Sequence, residues 1–278
     1  MKVSICGCGW LGFPLAKKLV QQGHFVFGSK QNPLKVSHLK EYGIHGVALT
    51  LPVELNEVDS DLEEFLTADI LIINVPPGRG EGADQAFIAK IKSLSYVAKK
   101  YGCRKVIFIS TTSVYGSVTG VANEETVPVP DTASGHAHLQ LEQWLAQEWG
   151  RELVVLRLAG LFGPGRHPVR YLAGRSSLAN GSDPVNLVHL DDCLCAISQI
   201  VANWPSQQVL HLAARSHPSR ESYYTAMALW AKLPVPEFSS VSGSGGKVVD
   251  ASHTCEVLAM AMKYPDLMSV EPEIAAIN

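Results

Sequence analysis

Gly7-Cys8-Gly9-Trp10-Leu11-Gly12 follows directly on a short apolar segment, residues 2–6, and opens a stretch in which Leu11, Leu15, Ala16, Leu19 and Val20 share one helical face. Each glycine of a G-x-G-x-x-G spacing has its own physical task. The first permits a tight turn, the second lets an anion come close to the backbone, and the third lets the helix pack against the strand. The helix then presents its N-terminal N–H groups and the positive end of its dipole to that anion. Gly23 stops the helix, and residues 25–28 return as a second strand. This order of strand, glycine turn, helix and strand predicts a dinucleotide site built on Gly7, Gly9, Trp10, Leu11 and Gly12.

Outward from the turn the same unit recurs. Residues 69–75 read as a strand buried on both faces, because Ile70-Leu71-Ile72-Ile73 carries no polar alternation. Pro76-Pro77-Gly78 ends it, and Val75 and Pro76 are counted among the cofactor contacts. Asp84 is expected to cap a helix whose Phe87, Ile88, Ile91, Leu94 and Ala98 share a face, and Gly102 precedes a strand over 105–110. A helix over 136–149, Gly150 and a strand over 153–158 complete the pattern. The fold class is therefore α/β: a Rossmann-type, doubly wound parallel sheet with residues 1–160 as its dinucleotide-binding domain. Beyond Gly160, helical patterns at 191–203 and 219–232 flank a strand-like 208–213, so residues 161–278 are expected to complete the sheet and form a small C-terminal substrate lobe. Loops rich in Gly, Ser and Pro lie at 78–82, 163–168 and 239–246.

The second strand decides the cofactor. An NAD site places Asp or Glu about 20 residues beyond the glycines to hold the ribose diol. From Gly7 through Lys40 there is no acidic residue, whereas Ser29 and Lys30 stand directly after the strand, where a 2′-phosphate would lie. NADP is preferred over NAD.

Composition removes several other classes. A net charge of −3 and no basic run interleaved with aromatics speak against nucleic acid as a partner. No apolar run approaches the ~20 residues of a membrane span, and a cytoplasmic location is expected. Cys6, Cys8, Cys103, Cys193, Cys195 and Cys255 contain no C-x-x-C pair, so they are read as reduced thiols and no metal is expected.

Ile109-Ser110-Thr111-Thr112-Ser113-Val114-Tyr115-Gly116 resembles a segment of the extended short-chain dehydrogenase/reductases, the NAD(P)-dependent sugar-nucleotide epimerase and dehydratase group. Leu156-Arg157-Leu158-Ala159-Gly160-Leu161-Phe162-Gly163-Pro164-Gly165-Arg166 is similar to the segment after that family's sixth strand. Val185-Asn186-Leu187-Val188-His189-Leu190-Asp191-Asp192 is similar to its substrate-lobe motif. The Gly-Trp-Leu-Gly turn with Arg166-His167-Pro168 looks like an atypical, YeeZ-type branch. The resemblance implies an oxidoreductase or epimerase/dehydratase-like enzyme in which Thr111 polarises the reacting oxygen; the other role open to Thr111 is to bond the strand end. It also implies that Tyr115 is structural.

One feature of that family is missing. Its acid/base pair is Tyr-x-x-x-Lys on the following helix, and alignment through Glu142-Gln143 puts Ser134 and His138 at those two places. Four residues apart, they share a helical face, and His138 could act as base directly or through the Ser134 hydroxyl. The alternative is a position that has lost its standard chemistry. Arg166, His167 and Arg170, in a loop with Arg175 and short of acids, form a candidate clamp for a small anionic or nucleotide-linked substrate. Two functional readings remain open: an NAD(P)-dependent enzyme without the usual pair, or a non-catalytic NADP-binding regulatory protein.

Overall fold

The computed structural model describes residues 1–240 and 245–274. In chain order its elements are β1 (Lys2–Cys6), α1 (Gly12–Gln21), β2 (Phe25–Lys30), α2 (Ser37–Lys40), β3 (His45–Ala48), α3 (Ser60–Leu66), β4 (Ile70–Ile73), α4 (Ala83–Lys100), β5 (Lys105–Thr111), β6 (Gly120–Ala122), α5 (Ala133–Trp149), β7 (Leu153–Leu158), β8 (Gly160–Phe162), α6 (Val169–Leu172), β9 (Leu187–His189), α7 (Leu190–Ala202), β10 (Val209–Leu212), α8 (Arg220–Trp230), β11 (Lys247–Val249) and α9 (Ser252–Val257).

Seven strands form one parallel sheet in the order β10-β7-β5-β4-β1-β2-β3. The order reverses between β1 and β4, and a crevice opens outside the carboxyl ends of the strands at such a switch point. Strand alternation divides the core into two layers. Val3, Ile5, Ile70, Ile72, Ile107, Val154 and Leu156 pack under α1 and α7, while Leu71, Ile73, Val106, Phe108, Leu153 and Val155 pack under α4 and α5. Two short two-stranded sheets, β8-β9 and β6-β11, stand beyond the main one. A third apolar cluster, with Phe162, Val169, Tyr223 and Met227, lies between the β8-β9 sheet and α8.

The structure adjusts several expected boundaries. β2 continues to Lys30, since its carbonyl accepts from Leu49 N–H at 3.0 Å and its neighbour β3 extends the ladder. α4 starts after Gly82, whose φ of +72° turns the chain, so Asp84 sits inside the first turn and does not cap it. α5 starts earlier than expected because the Thr132 hydroxyl accepts the Gly135 N–H at 3.1 Å. Within the glycine- and serine-rich stretch 239–246, residues 241–244 lie outside the described residues.

Candidate functional site

At the carboxyl end of β1 the backbone leaves no room for side chains. Gly7 has φ +102°, and a Cβ on it would stand 2.4 Å from the Asn74 carbonyl oxygen; a Cβ on Gly12 would stand 2.2 Å from the carbonyl oxygen of Gly7. The turn is held from both neighbouring strands. Asn74, just past β4, donates its Nδ2 to the Gly7 carbonyl at 3.1 Å. Gly7 N–H donates to Ser29 Oγ and Cys8 N–H to the Ser29 carbonyl, both at 3.1 Å, and Gly9 N–H donates to the Gly7 carbonyl at 2.8 Å. Three consecutive donors then remain: among the described residues, the N–H groups of Trp10, Leu11 and Gly12 have no acceptor. They open α1, and beside them a Cβ on Gly9 would meet nothing within 4 Å. An open cradle with unspent donors at a helix N-terminus fits the diphosphate of a dinucleotide.

This geometry changes the reading of Ser29. It is 3% exposed with its hydroxyl bound to the turn, so it supports the cradle and does not reach a 2′-phosphate. Lys30 differs: its amine lies 5.8 Å from the Phe13 ring centroid at the opening of α1, and among the described residues no carboxylate pairs with it. Cys6 and Cys8 have their thiols pushed up to about 12 by burial, so neither carries a thiolate beside the cradle. Val75 is half-buried and borders Gly7, its N lying 3.6 Å from the Cβ position there; Pro76 is exposed.

Trp10 carries the turn across to the loop after β8. Its Nε1–H donates to the Pro164 carbonyl at 2.9 Å, and the Arg166 guanidinium carbon lies 5.0 Å from its ring centroid. Gly163 and Arg166 exchange two backbone hydrogen bonds of 2.9 Å, so the loop is a tight hairpin aimed at the turn. His167 faces the other way. It is 3% exposed, accepts the Val169 N–H on Nδ1 at 3.3 Å and donates Nε2–H to Tyr223 Oη at 3.0 Å. Burial holds it down at about 4, so it is a neutral core histidine and not part of an anion clamp. Arg170 and Arg175 are exposed.

Thr111 ends β5 on the same edge of the sheet. Its Oγ1 accepts the Ser113 N–H at 3.1 Å, a strand-end bond that uses one lone pair, and among the described residues the hydroxyl hydrogen has no acceptor. On α5, Ser134 and His138 share a face, but the short bond between them runs to the Ser134 carbonyl and the hydroxyl contact is the long one. His138 Nδ1 lies 2.8 Å from the Ser134 carbonyl and 3.5 Å from its hydroxyl. A carbonyl only accepts, so Nδ1 carries the hydrogen and cannot take a proton from Ser134. The ring is 5% exposed between Phe87 and Phe108, and burial lowers its pKa. His138 is a packing residue that ties the first turn of α5.

A polar row crosses the sheet beneath α5. Ser110, Arg157 and His211 occupy paired positions on β5, β7 and β10, all on the α5 side. Ser110 Oγ donates to Glu142 Oε1 at 2.5 Å, and Arg157 grips the same carboxylate through Nε and Nη2. Arg157 Nη1 donates to Tyr115 Oη at 3.1 Å, Tyr115 donates to His211 Nδ1 at 3.0 Å, and His211 Nε2–H donates to the Asp250 carbonyl at 2.6 Å. Tyr115 is therefore structural, as the resemblance implied. Sequence reasoning passed over Asn74, Glu142 as a partner, and His211. Their one available signal was a polar residue set in, or directly after, an apolar strand or helix face.

Residues 5–192 match the NAD dependent epimerase/dehydratase family, and the chain belongs to that family. It is 38% identical over 266 residues to Protein YeeZ of Escherichia coli (strain K12), a match covering 95% of this chain and 97% of that protein. Among solved structures, the UDP-glucuronic acid 4-epimerase of Bacillus cereus in complex with NAD superposes with a TM-score of 0.78 at 18% identity, covering 96% of this chain and 93% of that one. The UDP-glucose 4-epimerase of Thermotoga maritima with UDP-glucose gives 0.74 at 20% identity, covering 96% of each chain. These two likenesses carry the fold.

Proposed function

We propose that this chain is an NADP-dependent oxidoreductase or epimerase-like enzyme that acts on a small anionic or nucleotide-linked substrate without a Tyr-x-x-x-Lys pair. The observation that carries the reading is the set of three unspent N–H groups of Trp10, Leu11 and Gly12 beside the open Gly9. A bound nicotinamide supplies hydride transfer; the protein supplies position and polarity. The three N–H groups hold the diphosphate, Lys30 meets a 2′-phosphate, and Val75 and Pro76 flank the cofactor at the switch point. The Thr111 hydroxyl, with its hydrogen unspent, donates to the reacting oxygen of the substrate. Arg166 and Arg170 give the mouth its positive charge.

A specific observation favours a second reading, an NADP-binding regulator without turnover: the helix that carries the family's acid/base pair offers here a buried His138 whose Nδ1 is committed to a carbonyl. The test is calorimetry with NADP and NAD, followed by NADPH absorbance with a panel of carbonyl and nucleotide-sugar substrates on the unaltered protein and Thr111→Val. Substrate-dependent oxidation that Thr111→Val abolishes supports the enzyme. Tight binding with neither an absorbance change nor, by chromatography with NADP bound, conversion of any nucleotide sugar to an epimer or dehydrated product supports the regulator, and no binding of either dinucleotide overturns both.

A further inference from the structure

We infer that Arg166, held on the face of Trp10, closes over the diphosphate of the dinucleotide and is a cofactor-binding residue contributed from beyond the dinucleotide-binding half of the chain. This rests on the dinucleotide reading above and goes past it, since the basic, acid-poor character of its loop assigned Arg166 to the substrate.

Electrostatics set the need. A dinucleotide diphosphate carries two negative charges, and the opening of α1 offers roughly half a positive charge together with its free N–H groups. No basic side chain lies within the turn itself, residues 7–12. Arg166 is a cation that the fold brings there from the loop after β8, on the side away from Lys30's place on β2. Its guanidinium carbon stands 5.0 Å from the Trp10 ring centroid, and among the described residues it has no carboxylate partner. A guanidinium that lies on an aromatic face keeps its edge N–H groups free for a planar, two-pronged bond to phosphate oxygens.

The support behind Arg166 fixes where that edge can be. Pro164 is tied to the Trp10 indole N–H, and the reciprocal Gly163–Arg166 bonds make the four residues one rigid hairpin. Gly163 at φ +147° and Gly165 at φ +68° supply its bends, and a Cβ on Gly163 would come within 3.4 Å of Trp10 Cζ2 and 3.1 Å of Leu190 Cβ. Trp10 thus serves twice: its backbone N–H belongs to the cradle, and its ring carries the cation. Both functions sit on one residue, so the guanidinium stays within a side chain's reach of the cradle. Arg170, one helical turn further along and free of this hairpin, is left for the substrate.

The test measures binding, not turnover. NADP is titrated calorimetrically into the unaltered protein, Arg166→Gln and Trp10→Phe, with adenosine 2′-monophosphate, which lacks both phosphates of the diphosphate, as the comparison ligand. Arg166 is exposed, so its replacement leaves the fold intact. Arg166→Gln is expected to weaken NADP by at least about tenfold and to flatten its salt dependence, while the 2′-monophosphate changes by less than about twofold. Trp10→Phe, which keeps a ring but loses the bond to Pro164, falls between. Unchanged NADP affinity in Arg166→Gln overturns the inference and returns Arg166 to the substrate. Absence of heat with the unaltered protein overturns the dinucleotide reading itself.

Discussion

Glu142 of α5 and Arg157 of β7 form an ion pair inside the protein, Oε2 2.6 Å from Nη2, with side-chain exposures of 5% and 6%. Removing one member of such a pair strands the other charge in the core. Glu142→Ala is therefore expected to cost roughly 3–5 kcal/mol in urea unfolding. Glu142→Leu combined with Arg157→Met and Ser110→Ala should recover most of the loss. A single variant within about 1 kcal/mol of the unaltered protein would contradict the pair's burial.

The glycine turn separates folding from binding. Gly9→Ala adds a methyl group where nothing lies within 4 Å, so circular dichroism and Tm should hold while calorimetric binding of NADP falls by more than roughly tenfold. Gly12→Ala, with a methyl carbon forced to within 2.2 Å of a carbonyl oxygen, should instead fail to fold normally.

Lys30→Ala is expected to lower NADP affinity by about tenfold and leave NAD affinity within twofold, since only NADP carries the 2′-phosphate. Equal loss for both dinucleotides would place Lys30 elsewhere.

Low pH should destabilise the protein. His167 drops from 6.5 to about 4 on folding because burial disfavours its charged form. The unfolded chain binds that proton first, so stability is flat above pH 6.5 and falls between pH 6.5 and 4, by roughly 3 kcal/mol from this residue. His138, His189, His211 and His217 shift downward for the same reason and steepen the slope. Urea midpoints at pH 7.5, 5.5 and 4.5 measure it, and His167→Phe should flatten part of the curve.

His138→Ala should lower stability and leave the NADP affinity unchanged, because the ring packs on Phe87 and Phe108 with its Nδ1 tied to the backbone. A loss of binding with full stability would reinstate it in the site.

The sheet was legible because its strands are apolar on both faces and its helices repeat a clean apolar stripe; the turn was legible because three glycines at fixed spacing answer to one geometry. β3 and α3 escaped notice: His45-Gly46-Val47-Ala48 buries one valine on an edge strand, and Ser60–Leu66 spans barely two turns. In the site, residue type misled where burial decides. His167 and Ser29 have the chemistry of ligands, and the fold spends both on its own backbone and side chains. Arg166 meeting Trp10 across 156 positions leaves no mark in either local pattern.

The polar row through β5, β7 and β10 also bears on how the strands find their order. Had β7 or β10 docked against a different neighbour during folding, the Arg157 guanidinium would face hydrocarbon with no carboxylate or phenol to receive it, and the imidazole of His211 would lose its phenol. Apolar strands alone are nearly interchangeable in a parallel sheet. Three hydrophilic side chains in register make the wrong permutations costly, so the row acts as a keyed fastening that admits one arrangement of the half of the sheet lying away from the glycine turn.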